Sequence, residues 1–445
     1  MPHVTFIYAS VGQMLKPRFL RSWQMQPLAI AQLAALTPKE WGRAFFDDRI
    51  ESIDYTIKTD LVAISIETYT ASRGYQIAAR FRERNIPVVF GGFHATLCPD
   101  ESLAHADAIC VGEAEPVWVQ MLEDARKGRL KGRYAGQRRE MLTGLQPDRT
   151  IFTGKNYLPL ALIETSRGCP LRCNFCSVSA FYKTSYRRRP IQAVVEEIRQ
   201  AGRRHVFFVD DNLTADLASA RELFSAIRPL KINWFSQAGL EGLGDESLLK
   251  QMAESGCLGL IIGFESLDPK NLSRMCKHGN YAEEYAHVIG LLRKSGILVY
   301  GQFIFGYPHD TPETFEKSLE FAQREKMFLS AFNPLVPYPG TPLYREIEAC
   351  GRLRFPKWWL SEQFTFGQTP FEPFGMRAEE IEKSCYRIKR KFYHPFSIVQ
   401  RSFDLRRKGW GLNRIAVFIG LNLLARKEVY QRRGFPVGAR LTEAR

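Results

Sequence analysis

Runs of apolar residues alternate with amphipathic stretches along the first 140 residues of the chain. Four runs are apolar at nearly every position, as is typical of strands buried on both faces of a parallel sheet, and they span 3–10, 60–67, 86–92 and 106–112. Three stretches repeat apolar residues at helical spacing, at 27–36, 72–85 and 115–125. This alternation predicts a doubly wound parallel sheet, whose ligands are expected at the carboxyl ends of the strands.

The same alternation continues from about residue 155 to residue 345. Six strand-like runs occur at 161–166, 205–211, 232–238, 258–265, 297–306 and 332–339. Helical patterns separate them, at 191–201, 215–227, 246–255, 281–294 and 312–324. Six strand–helix repeats in series predict an open or closed parallel barrel, with any site at the carboxyl ends of its strands.

Two other regions differ in character from these repeats. Residues 126–140 are basic and poor in apolar side chains, which favours a linker, and residues 346–445 hold a charged helical pattern at 377–391 and an apolar one at 409–427. We therefore predict three domains, at 1–140, 155–345 and 346–445, of which the last is mainly helical.

The charge of the chain is unevenly distributed. The formal net charge is +15, and residues 377–445 hold 17 Lys and Arg against 6 Asp and Glu, an excess of +11. A basic region of this kind suits nucleic acid, an anionic membrane or an acidic substrate, and a solvated basic helical surface is the alternative. The apolar helix near 412–424 is too short to cross a bilayer, so it packs on the barrel, lies on a membrane surface or contacts a partner.

Cellular location follows from what the sequence lacks. No secretory signal is visible at the N-terminus, and no run of 18 or more apolar residues occurs. Nine unevenly spaced Cys are too few for a disulfide scaffold and fit a reducing compartment. We expect a cytoplasmic protein, with peripheral membrane contact through the basic C-terminal region as an open alternative.

Three cysteines stand close together directly after the first strand of the second unit. Cys169, Cys173 and Cys176 have the spacing C-x3-C-x2-C within TSRGCPLRCNFCSVSAF. Thiolates favour zinc or an iron–sulfur cluster, and a zinc site needs a fourth ligand that is missing at ligand spacing. A 4Fe–4S cluster held by three thiolates keeps one iron open for a small molecule. The alternative is three structural cysteines, although free Cys normally occurs singly in cores.

This cysteine motif, with Phe175 before its last Cys, resembles that of the radical S-adenosylmethionine (SAM) enzymes. The resemblance implies that the three cysteines hold a 4Fe–4S cluster whose open iron chelates SAM. One electron then cleaves SAM to methionine and a 5′-deoxyadenosyl radical, which removes a hydrogen from the substrate. It also implies SAM contacts at the strand ends, for which we name Asp210, Asp211, Gln237, Glu265, Gln302 and Tyr338. Helix capping is the alternative role for Asp211 and its neighbour Asn212.

The first 130 residues are similar to the cobalamin-binding domain that precedes the barrel in one large class of these enzymes. The similarity implies cobalamin contacts at the strand ends, which are Thr68, Tyr69, Gly91, Gly92, His94, Gly112 and Glu113. Glycines there would let the flat macrocycle approach the backbone. The motif D-x-H-x-x-G, whose His ligates cobalt, is missing around His94 and His105, as is common in this class. The lower cobalt ligand is therefore unassigned, and a flavodoxin-like domain without a cofactor is the alternative.

Together these features predict an α/β chain in three parts: a doubly wound, Rossmann-like, cobalamin-binding domain, a partial (β/α)6 barrel and a mainly helical C-terminal domain. The resemblance implies an enzyme that methylates an unactivated carbon, in which one SAM methylates the reduced cobalamin and a second supplies the radical. The expected partners are a small-molecule or lipid-like substrate and an electron donor such as flavodoxin or ferredoxin.

Three other functions stay open at this point. A related enzyme could instead rearrange or oxidatively cyclise a tetrapyrrole or hopanoid-like substrate without methylation. A methylthiotransferase acting on tRNA would suit the basic charge, but such enzymes have three more cluster cysteines in their N-terminal half, where this chain has only Cys98 and Cys110, so nucleic acid is disfavoured. The last is an iron–sulfur electron carrier or cobalamin-responsive protein without enzymatic activity.

Overall fold

Two all-parallel, six-stranded sheets organise the computed structural model, which describes residues 1–11, 24–136, 145–277, 279–407 and 412–438. The strands of the first sheet are β1 (His3–Tyr8), β2 (Gly42–Asp47), β3 (Leu61–Ser65), β4 (Val88–Gly91), β5 (Ala108–Gly112) and β6 (Arg133–Gly136). In space they follow the order β2-β1-β3-β4-β5-β6, so the predicted doubly wound sheet is confirmed. Because every pair is parallel, all carboxyl ends meet at one edge.

Helices cover both faces of this sheet. They are α1 (Leu28–Leu36), α2 (Ala71–Arg82), α3 (Phe93–Leu97), α4 (Pro99–Ala104) and α5 (Trp118–Arg126). Alternate residues of each strand point to opposite faces, so Phe6 and Ala63 share one core with Trp118, while Val62 and Ile64 share another core with residues of α2. The continuous apolar runs in the sequence follow from burial on both faces.

Two edge strands escape the sequence pattern. The prediction of a linker over 126–140 is wrong for Arg133–Gly136, which pairs with β5 as the edge strand β6, while residues 137–140 lie outside the described residues. In β6 exposed and buried positions alternate, and Tyr134 is its one large apolar side chain. The other edge strand, β2, has the same half-buried character. Edge strands cover one face only, so they lack the apolar run that marks a central strand.

The second sheet forms the predicted partial barrel. Its chain segment contributes β7 (Ala161–Ile163), β8 (Ser166–Gly168), β9 (Tyr186–Arg188), β10 (His205–Phe208), β11 (Asn233–Ala238), β12 (Cys257–Glu265), β13 (Leu298–Phe305) and β14 (Leu329–Pro334). The barrel order is β14-β13-β12-β11-β10-β7, and β8 and β9 pair as a separate antiparallel hairpin. The last strand ends at Pro334 rather than at 339, because Pro337 and Pro339 have no backbone N–H for a ladder.

Helices surround the barrel, namely α6 (Ser177–Tyr182), α7 (Ile191–Ala201), α8 (Leu217–Ile227), α9 (Glu246–Glu254), α10 (Pro269–Arg274), α11 (Tyr285–Lys294), α12 (Pro312–Arg324) and α13 (Pro342–Ala349). Shorter 3-10 turns occur at Thr68–Thr70, Arg149–Phe152, Arg228–Leu230 and Ala282–Glu284. Outward strand residues pack on these helices, as where Trp234 stacks on Phe224 with ring centroids 5.4 Å apart. The alternate residues, such as Tyr300 and Gln302, face the barrel interior.

The C-terminal region contacts both units. Its helices are α14 (Ala378–Phe392), α15 (Pro395–Arg407) and α16 (Leu412–Arg432). Buried Arg401 donates to the carbonyl oxygens of Met327 and Phe328 and to Asn422, which joins α15 to the barrel and to α16. Trp358 and Trp359 instead pack into a core of the first sheet. None of the described helices is long and apolar enough to span a bilayer.

Candidate cofactor cleft between the two sheets

The loop that carries the three cysteines is held in one conformation by its neighbours. It starts at Gly168, whose φ of +81° and whose close approach to the Ser185 carbonyl leave no room for a Cβ atom. The Gly168 N–H donates to the Asp211 carboxylate at 3.1 Å. Asn174, between two of the cysteines, accepts a hydrogen bond from Tyr307 at 2.7 Å and donates to the Arg274 carbonyl. The loop is therefore preorganised by glycine and by hydrogen bonds to three distant segments.

The cysteine side chains form a donor set that fits a cluster. Cys173 is buried, Cys169 and Cys176 are partly buried, and the Cys176 N–H donates to the Cys173 carbonyl. Burial raises the pKa of Cys173 to about 12, and the nearby Lys277 ammonium opposes that rise. Among the described residues, no three His, Cys, Asp or Glu side chains converge as ligands of a single ion would. A cubane binds each thiolate through a different iron, so three separated thiolates suit it better than zinc.

The two adjacent aspartates at the end of β10 have different environments. Asp210 is fully buried and accepts hydrogen bonds from the Thr165 N–H, the Thr165 hydroxyl and the Ser166 hydroxyl. Burial raises the pKa of each aspartate to about 6. Asp210 thus braces the end of β7, whereas Asp211 lies beside the cysteine loop. Asn212 accepts from the N–H groups of Thr214 and Gly239, and the helix that follows is capped by Asp216 instead, so the capping role considered for Asp211 and Asn212 is wrong.

The remaining residues named for SAM divide into two groups. Gln237, Glu265 and Gln302 lie on neighbouring strands β11, β12 and β13. Glu265 has a φ of +64° and its carboxylate is 3.4 Å from the Lys277 ammonium, although burial still raises its pKa. Tyr338 lies beyond the end of β14 and contacts Tyr69 of the first unit, with ring centroids 6.1 Å apart. The first group shares the barrel edge with the cysteines, and Tyr338 faces the other sheet.

A cavity of about 260 Å³ lies where the carboxyl ends of β3, β4 and β5 face the barrel. Its lining includes Gly91, Gly92, Gly112 and Glu113, as expected for cobalamin contacts. A Cβ atom on Gly91 would meet nothing within 4 Å, so this backbone is open to the cavity. The cavity continues between the sheet and the helices α1 and α5. The open glycine backbone at this edge fits the close approach of a flat ring such as that of cobalamin.

Three other residues named for cobalamin do not line this cavity. His94 is fully buried, and its Nε2 lies 3.2 Å from the Tyr75 hydroxyl and 3.1 Å from the Glu101 carboxylate. Thr68 is buried in a 3-10 turn, and Tyr69 packs against Trp358 with ring centroids 4.8 Å apart. The structure therefore does not bring these side chains to the cavity.

Sequence reasoning missed an ion-pair network that joins the two units. Arg167, two residues before Cys169, contacts Glu113 at 3.1 Å, Glu115 at 2.5 Å and Glu164 at 2.7 Å. Arg187 adds a second contact to Glu113 at 2.6 Å. Burial would lower the pKa of Arg167, but the carboxylates of Glu164 and Glu115 raise it well above its ordinary value. Single charged residues carry no pairing signal in a sequence, which is why this network was not expected.

The cavity also holds a carboxyl group that the sequence analysis passed over. Glu67 follows β3 and lines the cavity, and no described cation forms an ion pair with it. Burial raises the pKa of Glu67 to about 7. Nearby, Phe93 of α3 stacks on Phe181 of α6 with ring centroids 4.5 Å apart. This contact closes the seam between the two units beside the cysteine loop.

Comparisons with known proteins agree with this arrangement. A family model described as the radical SAM superfamily matches residues 163–322. Bacteriochlorophyllide d C-12(1)-methyltransferase of Chlorobaculum tepidum is 29% identical over 388 residues, which cover 84% of this chain and 84% of that protein. Bacteriochlorophyllide d C-8(2)-methyltransferase of the same organism is 30% identical over 356 residues, covering 74% of this chain and 78% of that protein.

The fold is also similar to that of a solved structure over most of the chain. That structure is the radical SAM methyltransferase TsrM from Kitasatospora setae with cobalamin and a 4Fe-4S cluster bound, which matches with a TM-score of 0.64. The two chains are 19% identical, and the match covers 88% of this chain and 85% of that one. The order of a doubly wound sheet followed by a partial barrel is thus the shared architecture.

Proposed function

This chain belongs to the radical SAM enzymes that carry an N-terminal cobalamin-binding domain, and we propose that it transfers a methyl group to an unactivated carbon of its substrate. The observation that supports the proposal most strongly is the network around Arg167. Through it, Glu113 in the lining of the cobalamin-side cavity is ion-paired to a residue only two positions from Cys169. This contact supports the proposal that the two cofactors share one cleft, as methyl transfer to a substrate radical requires.

Each part of the cleft has a separate task in this proposal. When bound, the cluster supplies the electron that cleaves SAM to a carbon radical, and cobalamin carries the methyl group. Cys169, Cys173 and Cys176 hold the cluster, and the open backbone at Gly91 supports the face of the cobalamin ring. Asp211, Gln237, Glu265 and Gln302 orient the polar groups of SAM, and the stacked Phe93 and Phe181 exclude water that would quench a radical.

Anaerobic reconstitution followed by turnover tests this function. The protein is loaded with iron, sulfide and cobalamin, its spectra are recorded, and SAM cleavage is measured after reduction. A product heavier than the substrate by one CH2 supports methylation. A product without that gain would instead indicate rearrangement or cyclisation, and an intact cluster that does not cleave SAM would overturn the enzymatic function.

We propose that the substrate is a bulky, mainly apolar compound of the bacteriochlorophyllide type. The support is the pair of relatives from Chlorobaculum tepidum, which are named for methylation of bacteriochlorophyllide d. Incubation with chlorins that differ in their peripheral substituents, followed by mass spectrometry, identifies the acceptor position. If the protein methylates none of these chlorins but methylates another apolar substrate, the proposed reaction is supported and the proposed substrate class is wrong.

Two external contacts complete the proposal. A flavodoxin or a ferredoxin delivers the electron, and the C-terminal helices touch an anionic membrane surface. The support for the membrane contact is that Phe396 (73%) and Val417 (60%) are exposed on the C-terminal helices, which also carry the exposed cations Arg390 and Lys427. Flotation with phosphatidylglycerol vesicles tests it, with phosphatidylcholine vesicles and the Phe396→Ser variant as controls. Equal recovery with both lipids would contradict the membrane contact.

A further inference from the structure

A second cavity, of about 1050 Å³, occupies the interior of the barrel and is separate from the cofactor cavity. One wall consists of strand residues that face the barrel interior, including Phe207, Phe235 and Ile261. The opposite wall consists of helices α14 and α16, which contribute Tyr386, Val429 and their neighbours. Ligand pockets commonly measure about 300–1000 Å³, so this cavity is large enough for a polycyclic molecule.

The two cavities are neighbours along one strand. Phe207 of β10 lines the large cavity, and Val209, two residues further along the chain, lines the cofactor cavity. Two residues of a strand advance by roughly 7 Å, which is the thickness of one layer of side chains. The residue two positions after Phe235 is Gln237, which we assign to SAM. A molecule in the large cavity would therefore occupy the layer of the barrel next to the one that we assign to SAM.

On the helical wall of the cavity, cationic side chains outnumber carboxylates. Lys389 of α14 lines the cavity, and within the described part of the chain it has neither an ion-pair nor a hydrogen-bond partner. Burial lowers its pKa, and so does the nearby Arg432. Arg432 is 3.6 Å from Glu428, yet its Nε and the Glu428 Oε1 are buried without hydrogen-bond partners. Arg433 lies over the Tyr386 ring at 3.8 Å.

Two of the three lining carboxylates, Glu379 and Glu382, are ion-paired with Arg354. The third, Glu428, therefore faces both Lys389 and Arg432 on this part of the wall, and a partly buried ammonium without a partner is costly to keep. An anionic ligand would remove that cost. Because the rest of the lining is mainly apolar, a small hydrophilic anion would leave most of the cavity without suitable contacts. The cavity thus suits a molecule with a large apolar body and a single acidic group.

We propose that the barrel cavity binds the substrate of the methylation proposed above as an amphipathic carboxylic acid, with its carboxylate on Lys389 and Arg432 and its apolar body against the strand wall. This arrangement places the acid on the helical side of the cavity. The carbon that receives the methyl group is then on the apolar body, where no charged group of the substrate approaches the radical. The inference rests on the proposed function for the identity of the reaction, and it concerns where and how the substrate is held.

A binding experiment tests the site without turnover. The probes are pheophorbide a, a chlorin with a free carboxyl group, and its methyl ester, each in the same non-denaturing detergent. Equilibrium dialysis against the anaerobically reconstituted full-length protein gives their dissociation constants. Removing a charge-assisted contact through Lys389→Met is expected to weaken binding of the acid by roughly tenfold or more and to leave binding of the ester unchanged.

The controls separate the charge from the shape of the cavity. Lys270→Met removes an exposed cation from α10 outside the cavity and should change neither constant. Ala425→Trp fills the cavity from α16 and should weaken binding of both the acid and the ester. Melting curves of each variant exclude unfolding, and Lys389→Met should melt no lower than the parent because it removes an unpaired, partly buried cation.

The outcomes distinguish this inference from the methylation that it builds on. If the acid binds no better than the ester, or if Lys389→Met and Ala425→Trp leave both constants unchanged, the barrel cavity is not the substrate site. SAM cleavage and cobalamin binding would be normal in that case. Conversely, selective loss of acid binding in Lys389→Met supports the site even in a preparation that does not turn over.

Discussion

The cofactor cleft and the barrel cavity lie in neighbouring layers of the molecule, and they differ in how their charged side chains are paired. In the cleft, Arg167 is surrounded by carboxylates from both units, and each of its contacts is 3.1 Å or shorter. In the barrel cavity, Lys389 has no described partner. Paired buried charges fix two segments relative to each other, whereas an unpaired charge leaves a position for a ligand. The comparison suggests that one charge cluster serves assembly and the other serves recognition.

The largest expected effect comes from removing the three cysteines together. Cys169→Ala, Cys173→Ala and Cys176→Ala in one protein should abolish SAM cleavage, a loss of about 1000-fold or more, because no thiolate is left to hold the cluster. The measurement is 5′-deoxyadenosine formation after anaerobic reduction, together with the cluster absorption.

The same variant sharpens the comparison between the two cavities. The cysteines do not line the barrel cavity, so binding of pheophorbide a should be retained. Replacing the scattered Cys350, which is exposed, by Ala is the matched control and should leave cleavage unchanged. SAM cleavage at the parental rate in the triple variant would refute the assignment of the cluster.

The next largest effect tests the paired charge directly. Arg167→Met leaves three carboxylates without their shared partner, and breaking a buried pair on one side commonly costs about 3–5 kcal/mol of unfolding free energy. Urea unfolding of the parent and the variant measures the difference. The matched variant is Lys389→Met, which makes the same change at the unpaired cation and should cost nothing. Equal losses in both variants would remove the distinction between the two clusters.

The sequence pattern predicts the strands that are buried on both faces of a sheet, and it misses the strands that are buried on one face only. The central strands of both sheets appear as apolar runs, and the helices Ile191–Ala201 and Pro312–Arg324 have the expected bounds. The edge strands Gly42–Asp47 and Arg133–Gly136 were missed because fully buried residues alternate with partly buried or exposed ones along them. A strand that is covered on both faces gives a continuous apolar run, which the sequence pattern detects. An edge strand is covered on one face and gives no such run, so the pattern does not detect it.

The candidate site divides in a similar way. The cysteine motif and the glycines at the strand ends were predictable because their chemistry or their backbone needs specific residue types. His94 was named from its place after β4, yet its side chain joins Tyr75 and Glu101 away from the cavity. The roles of Arg167 and Lys389 depend on pairing between residues far apart in sequence. Such pairing is a property of the tertiary structure, so local patterns could not reveal it.

The third largest effect is expected from a substitution that fills the cofactor cavity and does not change the barrel cavity. Gly91→Leu places a side chain in open space above the strand end, so it should weaken cobalamin binding by roughly a hundredfold through steric exclusion. Spectrophotometric titration of the unloaded protein with hydroxocobalamin measures this. Gly290→Leu, also at a glycine with open space, is the control on α11. Normal cobalamin binding by Gly91→Leu would exclude this cavity as the cobalamin site.

The smallest effect concerns Glu67, the unpaired carboxyl group of the cofactor cavity. Burial raises its pKa from an ordinary 4.5 to about 7, so the folded protein holds a proton there that the unfolded chain has released. Its contribution to stability is fully present below the unfolded pKa and is lost as the pH rises through the folded one, by about 2 kcal/mol between roughly pH 5.5 and pH 8. Glu67→Gln, which cannot ionise, should remove this decline, and urea unfolding of the cofactor-free protein at the two pH values measures it. If the parent and the variant lose stability in parallel, Glu67 is ionised in the folded protein, and both cavities then contain an unpaired charge.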